Sequence, residues 1–229
     1  MTSDPLVMPH CCSVVELRQY TTHPGRRDAL IDLFDRELVA PQEEAGMHVI
    51  GQFTDLDRPD RFVWLRGFTD MAARADALAA FYGGAVWKEH RDAANATMID
   101  SDNVLLLRPS LPGAGLPHPA PVPPPSTSDH VVHVIVYPLQ TDDPVDPRLV
   151  ADALADLRAA DVEVRAYVTE PAVNTFPALP VRADENVLVV LTRSDGGDAA
   201  TPALATLEPL LVGAPEMLRL RPTAGSQLR

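Results

Sequence analysis

The sequence predicts an α+β protein built from two tandem units of the order β-α-β-β-α-β. Three observations support this prediction: a proline-rich break divides the 229-residue chain, strand-like and helix-like segments follow the same order on both sides of the break, and the last strand-like segment of each half ends in an Arg-Pro pair. The break is too rich in proline to form a helix or a central strand, so it indicates a linker between the two halves. We therefore divide the chain into a flexible N-terminal arm (1–13), a first domain (14–109), a Pro-rich linker (110–129) and a second, degenerate domain (130–229).

The first domain alternates between the hydrophobic periods of strands and helices. Leu30, Phe34 and Leu38 recur at helical spacing, and Gly46 ends that helix. Asp70 is a good N-cap for the second helix, which Gly83-Gly84 interrupts. The predicted elements are strand 14–20, helix 26–45, strands 47–53 and 61–68, helix 70–81 resuming at 86–97, and strand 103–108.

The second domain repeats this order less clearly. VVHVIVY aligns with VVELRQY of the first domain, which places His133 at the position of Glu16. The predicted elements are strand 131–137, helix 147–159, strands 162–168 and 187–192, a ragged helix 201–211 and strand 216–221. This order is that of a ferredoxin-like unit, so we interpret the chain as a two-unit repeat. Two unrelated α+β domains that share a common pattern are the alternative.

Composition and charge exclude several functions. The chain has 19 basic and 32 acidic residues, and neither half is basic, so we expect no nucleic-acid partner and no attachment to anionic membranes. It has no apolar run of membrane-spanning length and no visible secretory signal. Adjacent cysteines rarely bridge each other, so Cys11 and Cys12 favour a reduced, cytoplasmic protein. Without further ligands, His10, Cys11 and Cys12 do not form a metal site, and we expect a flexible arm there.

Alternation along the strands separates two kinds of side chain. Val15, Leu17, Val63 and Leu65 are expected under the helices. The polar and aromatic residues are expected on the opposite face: Glu16, Arg18, Tyr20, Trp64 and Arg66. Helices can cover only one face of such a sheet, so the other face needs a partner. If two sheets close face to face, within one chain or between two chains, these residues line a barrel interior.

Three stretches carry a resemblance to a known family: VVELRQYTTHPGRRDALIDLF, GQFTDLDRPDRFVWLRGFTDMAARADALAAFYGGAVW and HRDAANATMIDSDNVLLLRP. Residues 14–109 resemble the NIPSNAP family, and 130–229 resemble a degenerate second copy of the same unit. The resemblance implies that the two ferredoxin-like units pair as a dimeric-α/β-barrel-type fold. NIPSNAP proteins have no generally established reaction. Relatives that share the barrel include cofactor-independent monooxygenases and haem-binding enzymes, which is an analogy of fold alone.

The leading candidate site combines Glu16, Arg18, Tyr20, Trp64 and Arg66. A carboxylate beside two guanidinium groups stays ionised, and an arginine left partly free can hold a substrate carboxylate or enolate. Tyr20 and Glu16 are candidates for moving a proton, and Trp64 can stack on a planar ligand. The alternative is a satisfied buried network that only fixes how the sheets pair.

Five further residues are weaker candidates. His133 is a candidate general base, because histidine titrates closest to neutrality. Gln52, His90, Arg91 and Asn95 are candidate ligand-binding residues, and His90 and Arg91 are expected at the lip of the barrel. A helical histidine serves as the axial iron ligand in haem-binding barrel relatives, so His90 is also a candidate haem ligand. A structural role in the core or at a helix end is the more common use of a single helical histidine.

Three hypotheses follow. The first is an enzyme that acts on a small organic molecule without a cofactor, by monooxygenase-, isomerase- or lyase-like chemistry. The second is a non-catalytic binding or scaffold protein, and the third is a haem-binding barrel enzyme. In the first two cases we expect a small-molecule ligand or none, no metal, no membrane insertion, and a homodimer as one candidate assembly.

Overall fold

The computed structural model describes residues 11–116, 130–140, 146–159, 163–194 and 207–228. Most of the predicted arm and linker, and most of the predicted helix 201–211, lie outside the described residues. The predicted domain boundaries at these segments therefore stay predictions.

The strands and helices of the first unit follow the predicted order. They are β1 (Val14–Thr22), α1 (Arg27–Leu33), a π-helical turn (Phe34–Leu38), α2 (Val39–Glu44), β2 (His48–Asp55), β3 (Arg61–Phe68), α3 (Met71–Gly83), α4 (Ala85–Asn95), β4 (Met98–Asp100) and β5 (Val104–Pro109). The Asp70 carboxylate accepts a hydrogen bond from the backbone N–H of Ala73 at 2.8 Å, which confirms the predicted cap of α3. Gly84 separates α3 from α4 as predicted, whereas the short strand β4 was not predicted.

The described part of the second unit has four strands in the predicted places. Its elements are β6 (Val131–Pro138), α5 (Pro147–Ala159), β7 (Val164–Thr169), β8 (Val187–Ser194), a 3-10 turn (Glu208–Leu210) and β9 (Glu216–Pro222). A hydrogen-bonded connection of 17 residues, 170–186, joins β7 to β8, while only residues 56–60 join the corresponding strands β2 and β3 of the first unit.

Eight antiparallel strands close into a barrel within one chain. The first unit has the order β5-β1-β3-β2 and the second unit the order β9-β6-β8-β7, which is the same arrangement twice. Pairing of β2 with β9 and of β5 with β7 joins the two sheets at both edges. The predicted fold class, two ferredoxin-like units in a dimeric-α/β-barrel-type fold, is confirmed.

The barrel interior is an apolar core, which corrects the predicted orientation of the strands. Side chains from both units meet there, among them Val15, Leu17, Val63 and Leu65. The polar and aromatic residues expected inside lie on the outer face of the first sheet, beneath α1, α3 and the π-helical turn. Small barrels fill their interior with side chains, and here both faces of the sheet are buried. The alternation along the strands was therefore real, but the two faces were assigned the wrong way round.

Residues 11 and 12 are packed against the barrel and are not part of a flexible arm. Cys11 and Cys12 are buried in the apolar core and are joined by a disulfide, contrary to the expectation for adjacent cysteines. The backbone N–H of Cys11 donates to the carbonyl of Leu116, so the beginning of the predicted linker is packed there as well. No helix in the described ranges is both long and apolar enough to cross a membrane.

Candidate functional site

One buried carboxylate holds three arginines on the outer face of the first sheet. Glu16 on β1 accepts a hydrogen bond from Arg18 Nη1 at 2.5 Å and from Arg66 Nε at 2.8 Å, both at Oε2. Its other oxygen, Oε1, accepts from Arg74 Nε of α3 at 2.7 Å. Register explains the placement, because Glu16 lies directly opposite Arg66 on the neighbouring strand β3. All four side chains are at most 1% exposed, so the cluster is shielded from bulk water.

The cluster carries an excess of positive charge. Three guanidinium groups and one carboxylate leave two positive charges uncompensated by the described ion pairs of these residues. Burial alone would raise the pKa of Glu16, but Arg66, Arg18 and Arg74 outweigh that effect and hold the pKa well below its usual range. Glu16 is therefore ionised at neutral pH and too weakly basic to accept a proton in catalysis. Nη2 of Arg66 and Nη2 of Arg74 have no hydrogen-bond partner among the described residues.

Aromatic rings surround these cations. The Trp64 indole lies between two guanidinium groups, with the Cζ atoms of Arg18 and Arg66 at 5.5 and 5.2 Å from its ring centroid. Tyr20 meets Trp64 edge to face, with the ring centroids 5.8 Å apart. These contacts are cation–π geometry and stabilise buried guanidinium groups that have too few anionic partners.

A cavity of about 70 Å³ lies between the sheet and the helices of the first unit, next to the charged cluster. Its walls are mainly aromatic and aliphatic, and its polar lining comes from Tyr20, Gln42, Tyr82, Asn95 and Ser101. Asn95 is exposed and Ser101 is half-buried, so the cavity opens to solvent on that side. A cavity of about 150 Å³ in an apolar core binds benzene, so this one suits a ligand with only a few non-hydrogen atoms.

The arginines do not line the cavity but act on the groups that do. Arg18 Nε donates to the Tyr20 hydroxyl at 2.9 Å, and Arg66 Nη1 lies 3.4 Å from both the Tyr82 hydroxyl and Gln42 Oε1. Because each hydroxyl accepts from a cation, its own O–H is left to donate. The indole Nε1–H of Trp64, which also lines the cavity, is buried and has no partner among the described residues. Burial raises the pKa of Tyr20 against the opposing effect of Arg18, so the hydroxyl keeps its proton at neutral pH.

The second unit contributes to this site through residues 170–186, which we call the cover loop. Asn174 Oδ1 and Thr175 Oγ1 accept hydrogen bonds from Arg74 Nη1 at 3.0 and 3.2 Å. Phe176 packs against Tyr82 with the ring centroids 5.8 Å apart, and Leu179 lines the cavity. The charged cluster is therefore completed by a segment of the other unit.

The structure brings together five of the ten predicted site residues at the cluster and a sixth at the cavity mouth. Glu16, Arg18, Tyr20, Trp64 and Arg66 form one contiguous group, and Asn95 lines the cavity. Tyr20, Trp64 and Asn95 line the cavity, whereas Glu16, Arg18 and Arg66 lie behind its wall.

Four predicted residues lie elsewhere. His133 is on the outer face of the second sheet, where its Nε2 lies 3.1 Å from Ser194 Oγ, so it does not share a cavity with Glu16. Gln52 donates its side-chain N–H to the Gly225 carbonyl at 3.4 Å and does not line the cavity. Arg91 is exposed on α4 and pairs with the exposed Asp92.

His90 is also outside the cavity lining, and its Nε2 lies 3.7 Å from Glu37 Oε2. A haem ligand on this helix would have to present a free imidazole nitrogen to a cavity that is wide enough for the porphyrin. The cavity of the first unit is too small for a porphyrin and His90 does not line it, so this site does not fit haem through His90.

Arg74 is the functional residue that the sequence analysis missed. It is followed at three, four and seven residues by Ala77, Leu78 and Phe81, all of which are buried on one face of α3. An arginine on the apolar face of an amphipathic helix must find a buried anionic partner. That pattern could have indicated a second element of the site.

Together the fold and the site define a class of protein: a single-chain member of the dimeric-α/β-barrel fold, with a mainly apolar cavity beside a buried charged cluster, between the sheet and the helices of one unit. Residues 15–111 match the model of the NIPSNAP family. The first unit is thus similar to the NIPSNAP domain, as its motifs indicated, and the match covers less than half of the chain. No curated protein matches the sequence.

Solved structures of similar fold cover nearly the whole chain. A candidate monooxygenase from Lactobacillus acidophilus has a TM-score of 0.57 and 13% identity, covering 93% of this chain and 96% of its own. A candidate monooxygenase from Fusobacterium nucleatum has a TM-score of 0.57 and 9% identity, covering 92% of each chain. An anthrone oxidase-like protein has a TM-score of 0.53 and 12% identity, covering 94% of each chain. At these identities the likeness concerns the fold, and it includes the second unit.

Proposed function

We propose that this protein is a small-molecule enzyme that binds a small, planar, enolisable anion in the cavity of the first unit and stabilises its oxyanion without a cofactor. The observation that carries the proposal is the set of donors in the cavity wall. Tyr20, Tyr82 and Trp64 line a small aromatic cavity. The hydroxyls of Tyr20 and Tyr82 accept hydrogen bonds from Arg18 and Arg66, which leaves their own O–H groups to donate, and the buried Trp64 N–H has no partner among the described residues.

The chemistry follows from this arrangement. Preorganised donors in a site of low dielectric stabilise developing negative charge more strongly than water does. Tyr20 is the proton donor, because burial keeps its hydroxyl protonated and Arg18 stabilises the charge that forms when the proton leaves. Among the described lining residues there is no carboxylate or histidine, so solvent at the open side of the cavity is the base that takes the proton from the substrate's α-carbon. The electron pair of the broken C–H bond becomes the enolate, whose oxygen accepts a hydrogen bond from the cavity donors. In the acid/base course Tyr20 gives a proton to the enolate carbon and is reprotonated from solvent. In the oxygenase-type course O2 is the oxidant: a C–O bond forms at the enolate carbon, and the resulting hydroperoxide takes its proton from Tyr20.

A binding experiment tests the anionic site. Pyruvate is planar, anionic and enolisable, and pyruvamide is a neutral compound of the same size. Hydrogen bonds to a charged group contribute about 1.5–3 kcal/mol, so calorimetry should show pyruvate bound about 10- to 150-fold more tightly than pyruvamide. Tyr20→Phe should lose most of that preference, while Arg91→Ala, at an exposed position outside the cavity, should keep it. Equal affinity for the two compounds would overturn the proposal.

A turnover experiment tests the chemistry. Exchange of the pyruvate methyl protons in D2O, followed by NMR, reports enolate formation, and an oxygen electrode reports the oxygenase-type course. We expect protein-dependent exchange that Tyr20→Phe abolishes and Arg91→Ala leaves unchanged. Tight binding with no exchange and no oxygen uptake would favour the non-catalytic binding protein.

A further inference from the structure

The two units differ in the loop that joins their second and third strands. Residues 170–186 connect β7 to β8, whereas only residues 56–60 connect the corresponding strands of the first unit. Loops of this length without their own helix or strand are uncommon in compact domains and are usually functional. The extra length therefore calls for an explanation that the barrel itself does not provide.

At the described positions of the second unit that are equivalent to the cluster, the Glu–Arg pairing is not repeated. At the positions equivalent to Glu16 and Arg18 the second unit has His133 and Ile135, and Val190 pairs with Ile135 as Trp64 pairs with Arg18. Ile135 and Val190 belong to the apolar core beneath the helix of the second unit. In the described residues, the buried Glu–Arg cluster thus lies in one unit and the long loop in the other, and the loop contacts the cluster of the first unit through Asn174 and Thr175.

The cover loop is fixed at both ends and in the middle. Its ends are held on β5, because the backbone N–H of Glu170 donates to Leu106 O at 2.9 Å and that of Arg182 donates to Val104 O at 2.8 Å. In the middle, Asn174 accepts from Arg74 and from the backbone N–H of Phe176, and it donates to the carbonyl of Leu179 at 2.9 Å. Asn174 therefore links the charged cluster to the turn that carries Leu179.

Leu179 is the one described residue of the second unit that lines the cavity. It is half-buried, and its side chain forms part of a wall whose remaining members all come from the first unit. A cavity of about 70 Å³ is small for an organic ligand, so the side chain that the cover loop places in its wall limits the size of what can enter.

We propose that the cover loop sets the size of ligand that the cavity admits, with Leu179 as the specificity-determining residue and Asn174 as the residue that positions it. This inference rests on the proposed function, since it concerns the same cavity and the same anion. The second unit then acts as the donor of a specificity loop, while most described residues on the outer face of its own sheet pack in an apolar core.

Pyruvate and phenylpyruvate test the proposal, because they share a head group and differ by one phenyl ring. In the wild type we expect phenylpyruvate to bind more weakly than pyruvate. Leu179→Ala should improve the affinity for phenylpyruvate relative to pyruvate at least tenfold, and Asn174→Ala should change the ratio in the same direction. Val173→Ala is the matched control, because Val173 lies in the same loop but is 87% exposed and does not line the cavity.

A second measurement does not depend on anion binding. Both tryptophans of the chain, Trp64 and Trp87, line the cavity, so quenching of their fluorescence by the neutral molecule acrylamide reports access to it. Leu179→Ala should raise the quenching constant about twofold, and Val173→Ala should leave it unchanged.

The two measurements distinguish failure of this inference from failure of the proposed function. If pyruvate binds with the expected dependence on Tyr20 but Leu179→Ala leaves the ratio and the quenching unchanged, the role of the cover loop is overturned and the function stands. If no variant binds either acid but quenching rises only in Leu179→Ala, the proposed anionic substrate is overturned, and the role of Leu179 in limiting access to the cavity is supported.

Discussion

Replacing Glu16 by glutamine removes the only negative charge from a buried group of three arginines. Three charge-assisted hydrogen bonds end on this carboxylate, at about 1.5–3 kcal/mol each. Glutamine keeps one acceptor oxygen, and the energies of the three bonds are not additive. We therefore expect the free energy of unfolding to fall by about as much as when a buried ion pair is broken, about 3–5 kcal/mol. In a chain of this length such a loss corresponds to a fall in Tm of about 6–20 °C.

The assay is thermal and urea unfolding of Glu16→Gln beside Asp92→Asn, a control at a carboxylate whose side chain is 90% exposed. The control should unfold like the wild type. Arg74→Met should lower the free energy of unfolding less in the Glu16→Gln variant than in the wild type. In the variant it removes a cation that only repels its neighbours, whereas in the wild type it removes one that is paired with Glu16. A fall in Tm below about 2 °C for Glu16→Gln, or strict additivity in the double variant, would refute the electrostatic account of the cluster.

The pH dependence gives a further check on Glu16. Its pKa is lowered by folding, so the stability it contributes is fully present above its ordinary value of 4.5 and is lost as the pH falls towards the lower folded pKa. The difference in unfolding free energy between wild type and Glu16→Gln should therefore be constant between about pH 6 and 8 and shrink below about pH 4.5. A difference that shrinks near neutrality instead would show that Glu16 is not held in its ionised form.

Three other predictions concern the site and its support. Trp64→Phe removes a buried N–H donor that has no partner among the described residues, so the free energy of unfolding, measured in urea, should change by less than about 1 kcal/mol. The affinity for pyruvate, measured by calorimetry, should fall several-fold. An unchanged affinity would exclude the indole N–H from binding. Gly67→Ala would place a Cβ in steric conflict with Cys12 Sγ and should destabilise the protein by about 1–3 kcal/mol, whereas Gly83→Ala, with nothing within 4 Å, should not. Equal unfolding midpoints for the two variants would contradict the packing described. Because burial raises the pKa of Tyr20, pyruvate affinity should be flat between about pH 6 and 9, and a titration inside that range would show that the hydroxyl is not the protonated donor.

The candidate site shows how much of a site the alternation along strands can predict. The sequence analysis grouped Glu16, Arg18, Tyr20, Trp64 and Arg66 correctly, because alternation puts residues of like parity on one face of a strand. It then placed that face inside the barrel. A strand buried on both faces carries no signal that distinguishes the interior of a barrel from the space beneath a helix, since both exclude water.

Contacts between distant segments were also beyond the sequence. Arg74 joins the cluster from α3, and Asn174 and Thr175 reach it from the other unit. Such contacts depend on how the helices and the cover loop lie on the sheet, and no local period records that. His133 was predicted to share a cavity with Glu16 because the two residues align across the repeat. Alignment shows only that His133 occupies the equivalent position in the second unit, and that position lies on the outer face of the second sheet.

The sequence by itself determined the order of the elements, the ferredoxin-like units, the caps at Asp70 and Gly84, and the identity of five residues that belong together. These are local properties, set by hydrophobic period, backbone conformation and strand alternation. Only the tertiary structure decided that both sheets close within one chain, that their apolar faces meet inside, and that one unit carries the polar site while the other covers it. Those outcomes depend on which surfaces exclude water when the whole chain packs, and that is a property of the assembled chain.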